Sequence, residues 1–580
     1  MEETTTSQTY IKVPLAKLKA FLEKKASAEG VNYIEVTDIT AAKLYDYDTS
    51  SSLGKILKHS DKKVALKLPE TIDKCDSMQH CFSGCTGLVS LAAIPKSVTD
   101  LCSCFSGCTG LTKASIIPDS ITKMYDCFRG CTNLTEAPAI PDSVTNMKGC
   151  FENCTGLIEA PAIPDSVTDM SNCFHNCTGL IKAPVIPDSV KQIIRCFKGC
   201  TNLIKAPTLP NSIADMSECF SGCSGLTEVP VLPYGVTDMC CCFLDCTSLI
   251  KPPVLSRSVT NMEYCFRGCI GLTEVPVLPS GVTNISFCFS GCTALTEAPV
   301  LPHNVTNIRF CFSGCTGLME APVIPDSVTN MGFCFSDCAS LTAPPVIPDS
   351  VTDMLACFSG CTSLIQAPFI PDSVTVMGLC FSECTGLTAA PVLPCSVTNI
   401  WGCFINCIGL TKAPAIPESV TNMRSCFFGC TNLTEPPALP ELVTDLQFCF
   451  SGCTGLVKAP AIPEHVTNME NCFEDCISIT NAPVIPKHVQ NMYSCFSGCT
   501  SLTAAPAIPN SVTNMEDCFK NCTNLTKVPS LPKGIEYISN CFSGCEKLTA
   551  DSITVPASEL KHYRENASAM SADPAWFKSE

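Results

Sequence analysis

The chain is short of positive charge and of long apolar runs. It has 37 Lys and Arg residues against 54 Asp and Glu residues, which gives a formal net charge of −17. This deficit argues against nucleic acid and anionic membrane surfaces as partners, because both attract proteins through basic residues. No apolar run reaches the roughly 20 residues that cross a bilayer. The sequence therefore predicts no nucleic-acid partner and no membrane span.

Signals of catalysis are also missing. Histidine is scarce, at seven residues, and the chain has neither a phosphate-binding loop nor a Gly-rich dinucleotide turn. Cysteine is abundant, but a nucleophilic thiol needs a singular setting, and dozens of these cysteines lie in equivalent ones. We therefore expect no enzyme activity, no catalytic residue, no metal ligand set and no cofactor.

The start of the chain has no recognisable leader. Residues 1–7 are MEETTTS, which is acidic and polar. A secretory signal begins with basic residues and continues into an apolar stretch. These residues leave two alternatives open: a protein that stays inside its cell, or a numbering that begins after a removed leader.

A strict repeat is the dominant feature. The motif Cys-Phe-x-x-Cys occurs 21 times from Cys81 to Cys541, always 23 residues apart. Such a period predicts a solenoid, in which each repeat covers its neighbour. We predict three parts: an N-terminal α+β capping domain at 1–72, the solenoid at 73–550, and a C-terminal cap at 551–580.

The two ends lack the motif and have their own patterns. Apolar spacing predicts a helix within 11–28, and strands are expected at 32–39 and 64–68. A short helix is expected at 558–569. Trp576 and Phe577 are expected to tuck against the last repeat, because the terminal face of a solenoid needs a cover.

One repeat, CFSGCTGLMEAPVIPDSVTNMGF at 311–333, represents the array. Counting its first Cys as position 1, Phe occupies position 2 in all 21 copies, and Leu occupies position 8 in all but one. Positions 11, 13, 14, 18 and 21 are mostly small or aliphatic. We expect these columns to stack into a continuous apolar core.

Proline restricts the sheet. Position 12 is Pro in 18 consecutive repeats, from Pro138 to Pro529. Since proline lacks the amide that a ladder needs, the parallel sheet should be narrow, with a short strand at 318–321. The stretch 329–338 is expected to form a turn or two of helix, with Thr or Asn as its cap.

The repeat resembles the leucine-rich repeats of bacterial BspA-like proteins, and most nearly the cysteine-rich type of treponemes. The segment SSLGKILKHSDKKVALKLP at 51–69 also resembles the module that precedes such repeats. The chain departs from the common form by having Cys, rather than a small residue such as Ala, before the Phe. The resemblance implies a surface-exposed or secreted protein that attaches to host proteins, host cells or other bacteria.

The paired cysteines leave three alternatives open. They are buried thiol columns, disulfides within each repeat, or a metal-binding array, which would need four thiolates from two repeats. Pairing within one column cannot use every cysteine, because 21 is odd. The representative pairs are Cys81 and Cys85, Cys104 and Cys108, Cys127 and Cys131, Cys311 and Cys315, and Cys541 and Cys545.

Position 10 is the main candidate binding column. It lies between inward-facing positions of the strand, so it should line the concave face of the sheet. Position 3 also varies and is expected to be a second exposed surface. The charged residues of position 10 are Lys113, Glu136, Glu159, Lys182, Lys205, Glu228, Lys251, Glu274, Glu297, Glu320, Lys412, Glu435, Lys458 and Lys527. They represent either a patterned binding face or a solvated surface that keeps the protein soluble.

Three functions are consistent with this sequence. The first is a non-enzymatic adhesin-like solenoid that binds host or bacterial proteins through its concave or variable columns. The second is a structural rod that self-associates, and the third is a thiol-rich redox or metal-binding array. The resemblance favours the first function and a location at the cell surface or outside the cell, with the cytoplasm left open.

Overall fold

The computed structural model describes residues 9–45, 51–229 and 231–580. The leader prediction on residues 1–7 lies outside these residues, and so does Pro230 of the proline column. The chain divides into two compact units, Met1–Asn284 and Ile285–Glu580. The division at 72 and 550 remains a prediction.

The first unit opens with a sheet of four parallel strands that pair in chain order. The strands are β1 (Ile11–Pro14), β2 (Asn32–Thr37), β3 (Val64–Lys67) and β4 (Leu88–Leu91), and the intervening helices are α1 (Leu15–Lys24), a 3-10 turn (Ala41–Lys43) and α2 (Ser52–Lys58). Ile11 pairs with Ile34, 23 residues later, so the first two strands already have the period of the array. β4 belongs to the first motif-bearing repeat. The sheet therefore continues from the N-terminal segment into the array.

The helix expected within 11–28 is present as α1, which begins only at Leu15. Residues 11–14 form a strand instead, and Pro14 ends it with extended backbone angles of φ −59° and ψ 139°. Leu15, Leu18 and Leu22 are buried at helical spacing, as the apolar pattern predicts.

The repeats form a sheet that is as narrow as expected. In the second unit, the strand at position 10 shrinks to one bridge per repeat, as between Glu320 and Ala343. Two positions later the chain reaches Pro322, which has no amide to extend the ladder. A second bridge column, at position 20, joins Asn330 to Asp353 and was not foreseen.

The cysteine-bearing segment is a series of tight turns rather than the expected helical turn. The amides of positions 21, 23, 2 and 4 donate to the following repeat, as Phe335 N does to Cys357 O at 2.9 Å. The amides of positions 1, 3 and 5 bond back three residues, as Cys334 N does to Met331 O at 3.0 Å. The amide of position 22 instead donates to the side chain of position 20, as Gly332 N does to Asn330 Oδ1 at 2.9 Å. Because bonds to the following repeat alternate with these local bonds, no run of i→i−4 bonds forms.

Residues with a left-handed backbone conformation make this alternation possible. Position 4 has φ +73° at Gly314, and position 23 has φ +57° at Phe333. Gly, Asn and Asp tolerate this region best, and they occupy position 4 in most repeats.

The core is a set of stacked identical columns. Within the second unit, the rings of Phe312 and Phe335 stack with centroids 5.7 Å apart and planes 5° apart. Leu318, Val328 and Met331 are completely buried, which confirms the predictions for positions 8, 18 and 21. The prediction for position 13 is wrong, because that column faces solvent.

The C-terminal segment covers the end of the second unit. It contains β5 (Ile553–Val555), α3 (Leu560–Glu565), a 3-10 turn (Pro574–Trp576) and β6 (Phe577–Ser579), and β5 pairs with β6 in parallel. Phe577 is completely buried, as expected, while Trp576 is only half-buried. Among the described residues, no helix has both the length and the apolar character needed to cross a membrane.

Candidate functional site

The motif cysteines are buried in the core, and no disulfide joins them in the described residues. At position 5 the thiol donates a hydrogen bond to the carbonyl of position 2 in the preceding repeat, as Cys338 Sγ does to Phe312 O at 3.1 Å. The representative cysteines Cys108, Cys131, Cys315 and Cys545 bond in the same way, and Cys85 donates to Gly54 O. The representative position 1 cysteines Cys81, Cys104, Cys127, Cys311 and Cys541 are completely buried.

Burial makes these thiols chemically quiet. Desolvation raises the pKa of Cys315 to about 12 and raises the pKa of Cys311 well above its ordinary value. The thiolate is the nucleophile and the metal ligand, so a raised pKa suits packing better than chemistry. Among the described residues, no group of three or more His, Cys, Asp or Glu side chains could hold a metal ion. Disulfides within the repeats remain a prediction.

Cysteines outside the motif have different surroundings. Cys240 and Cys241 are half-buried neighbours whose Sγ atoms are 3.6 Å apart. Cys395 is exposed at position 16 of its repeat. These three are the cysteines that solvent reaches.

The predicted column at position 10 is exposed and partly paired within itself. Four Lys–Glu pairs join adjacent repeats at N–O distances between 2.8 and 3.9 Å: Lys113–Glu136, Lys205–Glu228, Lys251–Glu274 and Lys412–Glu435. Exposed pairs of this kind stabilise a protein by about 0–1 kcal/mol each. Within the described residues, the remaining charges have no ion pair: Glu159, Lys182, Glu297, Glu320, Lys458 and Lys527.

Position 3 is less accessible than expected. Ser221 and Ser336 are buried, and Glu152 and His175 are half-buried. Glu152 also accepts from the guanidinium of Arg129 at 3.0 Å. Arg129 and Arg267 are exposed members of this column, whereas its other residues are buried or half-buried, so the column offers little continuous free surface for a partner.

The most unusual surface is the exposed column at position 13. In five successive repeats of the second unit, its residues are large and apolar, with 80–88% of each accessible surface exposed. We call these residues the apolar stripe: Val300, Val323, Val346, Phe369 and Val392. Sequence reasoning missed the stripe because aliphatic residues ordinarily indicate core.

A sequence signal for this exposure does exist. Pro322 and Ile324 are both buried, and Val323 lies between them with its side chain outward. This is the inward-outward alternation of an extended chain. Two adjacent aliphatic residues in an extended segment cannot both face the core, so one of positions 13 and 14 had to be exposed.

A second unpredicted feature is an aromatic ladder at position 23. Phe310 stacks on Phe287 at 4.4 Å and on Phe333 at 4.3 Å, measured between ring centroids. The guanidinium of Arg309 lies over two of these rings, 5.3 Å from the centroid of Phe310 and 5.9 Å from that of Phe333. All three phenylalanines are half-buried.

The repeat architecture matches a known family over most of the chain. Residues 58–181, 171–296, 239–365, 283–411, 355–480 and 424–549 match the model of the BspA type leucine-rich repeat region. The chain belongs to the BspA-type leucine-rich repeat family. Leucine-rich repeat proteins are generally non-enzymatic scaffolds for interactions, and the match indicates no enzyme family.

Three solved structures of low sequence identity are similar to this BspA-type chain. A leucine-rich repeat protein from Bacteroides ovatus is 20% identical, with 75% of this chain and 88% of that one covered, at a TM-score of 0.31. A leucine-rich cell surface protein from Faecalibacterium prausnitzii is 23% identical, with coverages of 48% and 77% and a TM-score of 0.33. YopM from Yersinia enterocolitica is 14% identical, with coverages of 90% and 93% and a TM-score of 0.30. A search of curated proteins gave no match.

Proposed function

We propose that this chain is a non-enzymatic interaction protein of the bacterial surface or surroundings. Its ligand is a protein of the host matrix, of host cells or of other bacteria. The observation that carries the proposal is the apolar column at position 13, exposed beside the charged column at position 10. Large exposed apolar patches on soluble proteins mark interaction sites, because burying them against a partner is favourable.

The repeats support this function by dividing their residues between two tasks. Positions 2, 8, 18 and 21 are buried and nearly constant, whereas position 10 changes between Lys, Glu and uncharged residues. Constant columns maintain the scaffold, and variable exposed columns provide a surface that differs along the array. Assignment to the cysteine-rich treponemal subtype is part of the same proposal.

Binding to a panel of partners tests the proposal. Folded protein is titrated onto matrix proteins, host cells and bacterial cells, with heat-unfolded protein as the control. We expect saturable binding to at least one member that the unfolded sample does not reproduce. No saturable binding by folded protein to any member would remove the adhesin function.

Self-association is the second candidate, since the apolar stripe could also meet another copy of the chain. Light scattering over a wide range of protein and calcium concentrations measures it. Growth of the particle mass with concentration supports a self-assembling rod. A constant monomer mass counts against it.

A further inference from the structure

We propose that the apolar stripe, Val300 to Val392, is a docking site for a basic, apolar polypeptide segment. The proposal rests on the interaction function above and specifies its surface and the chemistry of its partner. Four observations carry it: continuity, rigidity, the charge around the stripe, and the point where the stripe ends.

The stripe is continuous. Its five residues occupy the same position in five consecutive repeats, without a polar interruption. Neighbouring strands lie about 4.8 Å apart, so the stripe is roughly 20 Å long. That length fits a short polypeptide segment, and side chains of several residues can contact it at once.

The stripe is also rigid. Each exposed residue lies between two buried ones, as Val323 does between Pro322 and Ile324, so its backbone cannot turn the side chain inward. Valine has few side-chain rotamers, and the prolines at positions 12 and 15 restrict the backbone. A pre-organised surface loses little conformational entropy when a partner binds.

The surroundings of the stripe are acidic. Residues 285–411 contain a single cation, Arg309, and eight carboxylates, for a net charge of 1 − 8 = −7. Arg309 lies over the aromatic ladder. The carboxylates are Glu297, Glu320, Asp326, Asp337, Asp349, Asp353, Asp372 and Glu383.

Five of these carboxylates form a rim in the repeats that carry the stripe. Asp326, Asp349 and Asp372 follow a stripe residue by three positions and are exposed. Glu297 and Glu320 precede a stripe residue by three positions. Within the described residues, none of the five has an ion pair, so a partner with Lys or Arg beside its apolar residues is complementary.

A second copy of the chain would instead bring like charges together, which disfavours it as the occupant.

Toward the C-terminus, the apolar stripe and its acidic surroundings end together. Before residue 285, position 13 is still apolar and exposed at Val254 and Val277. The next repeats have Ala415, Ala438 and Ala461 at position 13. The same repeats have Lys412 at position 10, followed by Glu435 and Lys458 in alternation. At this end the apolar side chains and the excess of carboxylates change in the same repeat, which supports their belonging to one surface.

Direct titration tests the proposal. A fluorescent peptide of Lys, Leu and Ser is titrated with the full chain and followed by anisotropy. Two matched peptides replace either every Lys by Glu or every Leu by Ser. We expect the Lys–Leu peptide to bind at least about tenfold more tightly than either control, since both charge and apolar burial contribute.

Variants of the protein locate the site. The stripe variant combines Val323→Ala, Val346→Ala and Phe369→Ala, which the fold should accept because alanine occupies this position in neighbouring repeats. The rim variant combines Asp326→Asn, Asp349→Asn and Asp372→Asn, and Asn211 and Asn510 already occupy that position. The matched control is Val185→Ala, an equally exposed residue at position 13 in the first unit.

We expect both variants to weaken binding at least about tenfold and the control to bind like the wild type. Binding that survives in the stripe variant, equal binding of the Ser peptide, or no binding of the Lys–Leu peptide overturns the proposal. So does a wild-type dimer that the stripe variant abolishes, because the occupant is then a second copy. If the stripe variant still binds the protein panel, the interaction function stands and only this site is wrong.

Discussion

Individual residues determine how the chain changes direction in each repeat. Position 4 needs a left-handed backbone, and glycine supplies it without steric cost. Other repeats use Asn153 or Asn176 at this position with the same sign of φ. Position 23 also has a left-handed backbone, and Phe287, Phe310 and Phe333 adopt it while their rings stack. At position 4, backbone conformation therefore limits the choice of residue more strongly than burial does, whereas position 23 accepts many residue types with the same sign of φ.

Substitution of Gly314 tests this requirement. We expect Gly314→Asn to leave the unfolding midpoint nearly unchanged, because asparagine tolerates φ +73°. Gly314→Val should lower the free energy of unfolding by about 1–2 kcal/mol, because a branched Cβ is strained there. Urea denaturation followed by circular dichroism measures both. Equal midpoints for the two variants would contradict the argument.

At the scale of elements, the phenylalanine column links successive repeats. Its rings are completely buried, and each has a ring above and below it, as Phe335 has in Phe312 and Phe358. The thiols of position 5 bond beside the same column, so the core is built from interactions between neighbouring repeats. Such a core is only as continuous as its weakest repeat.

Truncation of one ring should therefore weaken the array locally. We expect Phe335→Ala to lower the free energy of unfolding by about 3–5 kcal/mol, because it leaves a cavity and interrupts the stack. Phe335→Leu keeps most of the volume and serves as the control, with a smaller loss. Urea unfolding curves give both values, and hydrogen exchange should show faster opening in the repeats next to residue 335. Uniform protection along the chain would argue against local weakening.

The C-terminal segment covers the apolar end of the last repeat. Phe542 N donates to Met570 O at 3.0 Å, and the hydroxyl of Tyr563 donates to Pro532 O at 2.8 Å. Removing residues 551–580 would expose the apolar end of the last repeat. We expect the truncated chain to aggregate or to lose its final repeats, measured by light scattering and proteolysis. A monomeric product that resists protease would show that the cap is dispensable.

At the scale of the whole molecule, the raised pKa values of the buried thiols imply that the stability of the fold depends on pH. Burial raises the pKa of the motif cysteines, for example to about 12 at Cys154 and Cys430. In the unfolded chain these thiols ionise near their ordinary pKa of about 8.5. The folded state then holds more protons than the unfolded state, so the stabilising contribution is complete below that pH and declines above it.

We expect the unfolding midpoint in reductant to fall steeply between about pH 8.5 and 11. Each buried thiol that unfolding exposes lowers the free energy of unfolding by about 1.4 kcal/mol per pH unit in this range. Urea titrations at several pH values measure it, and the same series without reductant is the control. If the cysteines form disulfides in the repeats, the slope without reductant will be much smaller. A flat profile in reductant would contradict the account of buried thiols.

The sequence by itself determined the architecture. A strict period of 23 residues predicted stacked repeats, proline at position 12 predicted a narrow sheet, and the constant Phe and Leu columns predicted the core. These predictions are confirmed because each depends on a local property of the repeat. The properties are the amide that proline lacks, the length of the repeat, and the apolar side chain that is constant or nearly constant at one position. A cover for the last face of the solenoid was expected on the same grounds, and its bounds at 551–580 remain a prediction.

Only the tertiary structure decided which residues face outward. Position 13 has the composition of core, yet it is exposed, because in an extended chain a shift of one residue moves a side chain to the opposite face. The turns likewise depend on bonds to the following repeat, as between Phe335 and Cys357, which no single repeat contains. Composition shows that a residue can be buried. Whether it is buried depends on its direction relative to the neighbouring repeat.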